Sequence, residues 1–234
     1  MHNRTIKLLK CIVFPLCLLP LARLIWFGVH QDLGADPVAE ITHVTGNWTM
    51  YMLLLSLAIT PVRHLSPRLT WLIRFRRMIG LYAFFYASLH LATYIFLFSG
   101  YDLPAAWAGL THGRIGAIWT QWRVVWPTVV RDLEKRRFIQ VGLFAWLILL
   151  ALAITSPTFM LRRMGGKNWQ RLHRLVYVAA AAGCVHYWWL VKKGVQRPMP
   201  DTLILTGLLL ARVIWLLIKR TPSRPRVAAQ LPSR

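Results

Sequence analysis

Acidic side chains are scarce in this chain. Seven Asp and Glu stand against 29 Lys and Arg in 234 residues, and only 15% of the chain is charged. A basic excess of this kind points to an anionic surface as partner, either nucleic acid or membrane. The hydrophobic share of 56% and the positive mean hydropathy decide for membrane lipids. The basic residues also flank apolar runs instead of forming one polar patch, so no nucleic-acid role is expected. Cysteine is scarce too: Cys11, Cys17 and Cys184 all lie in apolar runs. The absence of CxxC and CxxCH argues against a zinc site, a covalently attached haem and a disulfide framework. No GxGxxG precedes a helical pattern after a strand, and no soluble stretch of useful length exists. No nicotinamide-binding domain is therefore expected.

What is present is long apolar sequence. The N-terminus, "MHNRTIKLLKCIVFPLCLLPLARLIWF", has the basic start of a signal peptide but no clear small-x-small cleavage site, and it stays apolar past Arg23. It reads as a retained first span. Six segments, roughly 8–29, 46–63, 77–99, 138–156, 171–191 and 201–219, approach the length of about 20 residues that crosses a bilayer core. The expected fold is an all-α polytopic membrane bundle of six transmembrane helices, because backbone polar groups in lipid must be satisfied within each segment. Pro15 and Pro20 are expected to kink the first span, and Pro61 and Pro157 to end the second and fourth.

Lys and Arg between spans set the orientation. With a cytoplasmic N-terminus, eighteen basic residues fall inside and nine outside, and every acidic residue falls outside. Both termini are then cytoplasmic, and the third and fifth spans run parallel. Residues 1–219 form one membrane domain, and 220–234 a disordered basic cytoplasmic tail. In the outer connection, 100–137, Trp119, Trp122 and Trp126 recur at helical spacing. They suit an interfacial helix or, equally, aromatic-belt anchoring.

Ionisable residues within a membrane are costly and mark functional sites. His90 lies 13 residues beyond Arg77, and His186 lies 12 beyond Arg174. At 1.5 Å per residue, these depths are roughly 20 and 18 Å from the inner charged ring. Imidazoles at one level on parallel helices suit the two axial positions of haem b. Zinc would need more ligands than the neighbourhood offers. The competing explanation is hydrogen bonding between helices. His173 stands apart. Thirteen residues before His186, it is rotated by about 220° from it on an ideal helix. Gly183 is a place where the helix could distort. His173, Arg77 and Arg174 make an incomplete inner site whose arginines favour haem propionates or a flavin phosphate. A histidine facing lipid headgroups is the alternative there.

The stretches "LGADPVAEITHVTGNW", "LLLSLAITPVRHL", "RRMIGLYAFFYASLHLATY", "LILLALAITSP" and "GKNWQRLHRLVYVAAAAGCVHYWWLVK" resemble the MsrQ (formerly YedZ) family. That family belongs to the ferric-reductase-like transmembrane group, whose core here would be about 46–191. The resemblance implies a cytochrome b of the bacterial inner membrane. It would pass electrons from the quinone pool to a periplasmic molybdopterin subunit that reduces methionine sulfoxide in oxidised proteins. Sulfoxide reduction itself would occur on that partner. The resemblance also implies FMN, and it carries His90, His173 and His186 over as haem histidines. The wider group usually has two histidines on each of two helices, whereas this chain has one on its third span. Two other functions compete: a self-sufficient ferric or cupric reductase, and a transporter or scaffold without cofactor. The acidic outer stretch "QDLGADPVAE" is a candidate docking surface for the partner.

Overall fold

A computed structural model describes residues 3–191, 194 and 196–220. The described elements are all helical. The first apolar run forms α1 (Asn3–Leu16) and α2 (Leu19–Val29). Then come α3 (Pro37–Leu65), a 3-10 turn (Pro67–Leu72) and α4 (Ile73–Thr93), which a π-helical turn (Tyr94–Phe98) extends. Two connecting helices follow, α5 (Leu103–Thr111) and α6 (Gly116–Lys135). The chain continues through α7 (Arg137–Ile154), α8 (Thr158–Met164), α9 (Gly166–His173), α10 (Val176–Leu190) and α11 (Met199–Arg220). The expected tail lies outside the described residues, apart from Arg220.

Four helical stretches are long and apolar enough to cross a membrane: Asn3–Val29, Pro67–Phe98, Arg137–Ile154 and Met199–Ile218. The chain is a membrane protein. The other two expected segments look different. Segment 46–63 lies inside α3, whose polar positions Thr45, Asn47, Thr49 and Ser56 lower its hydropathy. Segment 171–191 is divided between α9 and the 15-residue α10.

Helix α3 packs along α4, and α10 packs along α7; α4 then meets α7, while α11 lies on α3. The packing is that of a bundle in lipid. Small residues fill the helix contacts: Ala83, Ala87, Ala179, Ala180 and Cys184 are buried. Large apolar side chains such as Leu55, Leu147, Trp189 and Leu217 face outward. Close backbone approach replaces the hydrophobic drive that water would provide.

The prolines act only in part as their spacing predicts. The first span does not merely kink but breaks at Cys17 and Leu18, between Pro15 and Pro20. Carbonyls left without helical partners need donors. Two tyrosines of α4 supply them: Tyr82 Oη donates to the Phe14 carbonyl (2.8 Å) and Tyr86 Oη to that of Cys17 (2.7 Å). Pro61 does not end its helix; α3 runs on to Leu65. The turn at Pro67–Leu72 folds back on α3 and holds its last residues. Pro157 does follow the end of α7 and is the residue before α8.

The connection 100–137 folds as a hairpin with a small core of Tyr101, Ala106 and Val125, against which Trp122 packs. Trp119 and Trp126 remain exposed. Tyr94 Oη donates to Asp132 Oδ2 (3.0 Å), and Asp132 also pairs with Arg136 (3.0 Å). This hairpin is therefore tied to the end of α4 near His90.

Candidate functional site

The two packed pairs, α3 with α4 and α7 with α10, bring His90 and His186 together edge-on. Their ring centroids are 6.0 Å apart, with the ring planes at 86°. Each ring is held by the neighbouring helix of its own pair. His90 Nδ1 lies 3.1 Å from the Thr42 carbonyl and 3.4 Å from Thr45 Oγ1. His186 Nδ1 lies 2.7 Å from the Phe138 carbonyl. A carbonyl only accepts, so both Nδ1 atoms carry the proton and both Nε2 atoms keep a lone pair. Orientation of this kind prepares a histidine for metal. Metal–imidazole bonds are about 2 Å long. Two of them plus the depth of each ring add up to about the 6.0 Å centroid separation, a spacing compatible with one ion held by both imidazoles. Among the described residues no three His, Cys, Asp or Glu come together. The donor set is thus two imidazoles, which suits a metal whose other ligands come from a macrocycle.

Two glycines make the site possible. A Cβ on Gly46 of α3 would sit 3.1 Å from His90 Cε1, and one on Gly142 of α7 would sit 2.7 Å from His186 Nδ1. The residue order along the sequence had not singled them out. A signal for them exists in the form of an internal repeat. Gly46 and Gly142, Pro61 and Pro157, and His90 and His186 are each 96 residues apart. The orienting bonds obey the same register, since each histidine lies 48 residues after its carbonyl partner. The pairs α3–α4 and α7–α10 are two copies of one device meeting at the histidines.

The same register places Arg77 opposite His173. His173 ends α9, and the helix is interrupted at Arg174 and Leu175 before α10 begins. The distortion separating His173 from His186 is therefore at this interruption and not at Gly183, through which α10 runs unbroken. Gly183 instead admits Met50, whose sulfur would lie 2.9 Å from a Cβ there. His173 stacks on Trp169 (3.8 Å, 22°), and its Nε2 is 3.1 Å from Thr155 Oγ1. Trp169 Nε1 in turn donates to the Thr155 carbonyl (2.8 Å). His173, Arg77 and Arg174 line one cavity of about 460 Å³, together with Arg76 and with Arg212, which the sequence had not marked. Among the described residues no acidic side chain lines it. Such a cradle suits a phosphate or carboxylate. The site residues expected from sequence thus separate into two places: the edge-on pair His90 and His186, and this basic cavity.

Comparison with known proteins agrees with this architecture. The family of the ferric reductase like transmembrane component matches residues 45–184. This span includes His90 and His173 and stops two residues before His186. A protein-methionine-sulfoxide reductase heme-binding subunit MsrQ from Herminiimonas arsenicoxydans is 43% identical over 218 residues, covering 92% of this chain and 89% of its own. The MsrQ protein of Xanthomonas euvesicatoria pv. vesicatoria is 40% identical over 225 residues, covering 94% and 90%. That of Ralstonia nicotianae is 39% identical over 186 residues, covering 80% and 75%. No solved structure matches.

Proposed function

This chain belongs to the MsrQ family, whose named relatives are haem-binding subunits of protein-methionine-sulfoxide reductase, and from that premise we propose that it is the electron-transferring membrane subunit of such a system, with haem b held by His90 and His186. The observation that supports this most is the edge-on imidazole pair with both Nδ1 atoms tied to main-chain carbonyls. Haem supplies reversible one-electron chemistry when bound. The chain's own residues do the rest. The Thr42 and Phe138 carbonyls fix the tautomers and make Nε2 more basic. Gly46 and Gly142 let α3 and α7 close against the rings. Apolar helix walls keep bulk water from the site.

The wider reading places six crossings in the bacterial inner membrane with both termini cytoplasmic, so that the histidine pair lies toward the periplasm. Electrons enter from the quinone pool and leave to a periplasmic molybdopterin subunit, where methionine sulfoxide is reduced. The stretch "QDLGADPVAE" is the proposed docking surface for that partner. The basic cavity around His173, Arg77 and Arg174 is the proposed place for the FMN phosphate, because among the described residues it gathers guanidinium groups without an acid to neutralise them.

The test is the absorption spectrum of purified protein. Wild type is expected to carry low-spin b-type haem. His90→Ala and His186→Ala lose it, whereas His173→Ala keeps it. Undiminished haem in both of the first two variants would reject the ligand assignment. Reduction of external ferric iron by membranes holding this chain alone would turn the reading toward a self-sufficient metal reductase.

A further inference from the structure

A second cavity, about 550 Å³ in volume, lies between α3, the end of α10 and the start of α11. We infer that it holds a membrane phospholipid with an ethanolamine headgroup, whose phosphate meets Arg197 and whose ammonium meets the Asp201 carboxylate. The inference goes beyond the electron-transfer reading and does not depend on haem.

Three observations support it. The first is a gradient of polarity. Helix α11 is long and apolar enough to cross the membrane from Met199. Asp201, in its first turn, therefore stands at the edge of the hydrocarbon. Asn47, Tyr51, Tyr187 and Arg197 share the cavity wall with it. Further along α3 the wall becomes apolar, with Leu54, Leu55 and Ala58. From Asn47 to Ala58 is about 16 Å of helix. At Ser56, α3 shares the basic cavity with Val176 and Tyr177, at the opposite end of α10 from Tyr187. The apolar part of the wall thus runs into the membrane. A headgroup suits the polar end, and the start of an acyl chain suits the rest.

The second observation is access. Tyr51, Leu55 and Ile204 are about half exposed on the flank of the bundle. The cavity opens sideways among apolar side chains, so its ligand arrives through lipid. The third is charge. Asp201 is only 7% exposed. Among the described residues its carboxylate joins no ion pair and accepts no hydrogen bond. The helix dipole favours an acid in this turn, but it does not supply the donors that a buried carboxylate needs. Arg197 lines the same cavity and also has no acidic partner among the described residues. One acid and one base that leave each other unpaired suit a zwitterion. An ethanolamine phospholipid brings both charges and three N–H donors on its ammonium. A choline phospholipid has the charges without the N–H groups, and a glycerol headgroup has no cation. Arginine bonds phosphate oxygens well, and two phenols and the Asn47 amide can reach the remaining phosphate and ester oxygens. The volume lies within the usual range for small-molecule sites.

The experiment is native mass spectrometry of the full chain released from detergent. The added lipids share their acyl chains and differ in headgroup: ethanolamine, its N-methyl and N,N-dimethyl forms, choline and glycerol. Wild type is expected to retain one ethanolamine lipid. Retention falls as methyl groups replace N–H, and is at least about tenfold lower for the choline lipid. Asp201→Asn retains the ethanolamine lipid no better than the choline lipid. Arg197→Gln, at an exposed position that leaves the fold intact, weakens retention of both several-fold and keeps their order. Equal retention of ethanolamine and choline lipids by wild type overturns the proposal, and that measurement needs no variant. An ethanolamine preference that survives in Asp201→Asn overturns it too, as does unchanged retention in Arg197→Gln. Tighter retention of the glycerol lipid would mark a site for anions and overturn it as well. A haem-free protein with the expected lipid order would support the cavity and remove the haem reading instead.

Discussion

Gly142 and Gly46 show how much one missing methyl group decides. His186 is held 2.7 Å from the Phe138 carbonyl, on the same helix as Gly142. A Cβ on Gly142 would come as close to Nδ1 as that hydrogen bond, so the ring must rotate or the helices must part. Overpacking of this kind costs about 1–3 kcal/mol. Gly142→Ala is expected to lower haem affinity about tenfold, read as the haem-to-protein ratio from the pyridine haemochrome spectrum. Gly46→Ala, at 3.1 Å from His90 Cε1, is expected to have the smaller effect. Equal haem content in Gly142→Ala and wild type would mean that the imidazole is not locked where the structure has it. The histidines themselves were legible because imidazole is conspicuous in an apolar run. Glycine in a membrane helix is common and says little alone. It gained meaning only beside the ring it accommodates.

At the scale of the element, α4 serves more than the histidine it carries. Tyr86 is 1% exposed, and its hydroxyl caps the Cys17 carbonyl at the break in the first span. Phenylalanine would fill the same space and leave that carbonyl unpaired, a loss of roughly 1–3 kcal/mol. Tyr86→Phe is therefore expected to lower the thermal unfolding midpoint in detergent while the haem spectrum stays as in wild type. A midpoint equal to wild type would show that the carbonyl finds another donor. The prolines at 15 and 20 were plain in the sequence, and so was some disturbance there. Whether the helix bent or broke depended on donors from another helix, which local sequence cannot supply. The same limit applied at Pro61, past which α3 runs on to Leu65, and at Arg174 and Leu175, where no proline or glycine announced the interruption between α9 and α10.

For the molecule as a whole, the repeat of 96 residues relates two helix pairs and leaves the histidines between them. The repeat is imperfect where Arg77 stands opposite His173. One end of the bundle therefore has matched imidazoles, and the other has a basic cavity. The proposed orientation rests on charge: the connections at 66–76 and 157–174 are rich in arginine, whereas acids gather at the opposite ends. Alkaline phosphatase fused after residue 115 or 194 is expected to be active in cells, and fused after residue 66 or 164 inactive. Activity at either of the latter two would overturn the proposed six-crossing topology with cytoplasmic termini.

The sequence by itself determined the solvent and the level of the ligands. Apolar runs of bilayer length, bordered by arginine, place the chain in a membrane, and near-equal spacing from those borders puts His90 and His186 at about one depth. Depth can be counted along a helix because the rise per residue is fixed. Azimuth cannot, once helices break. Only the tertiary structure decided which rings meet, which carbonyls hold them, and that His173 turns to Thr155 and Trp169 beside Arg76, Arg77, Arg174 and Arg212. Those outcomes depend on contacts between helices far apart in the chain, where close packing admits a glycine and refuses an alanine.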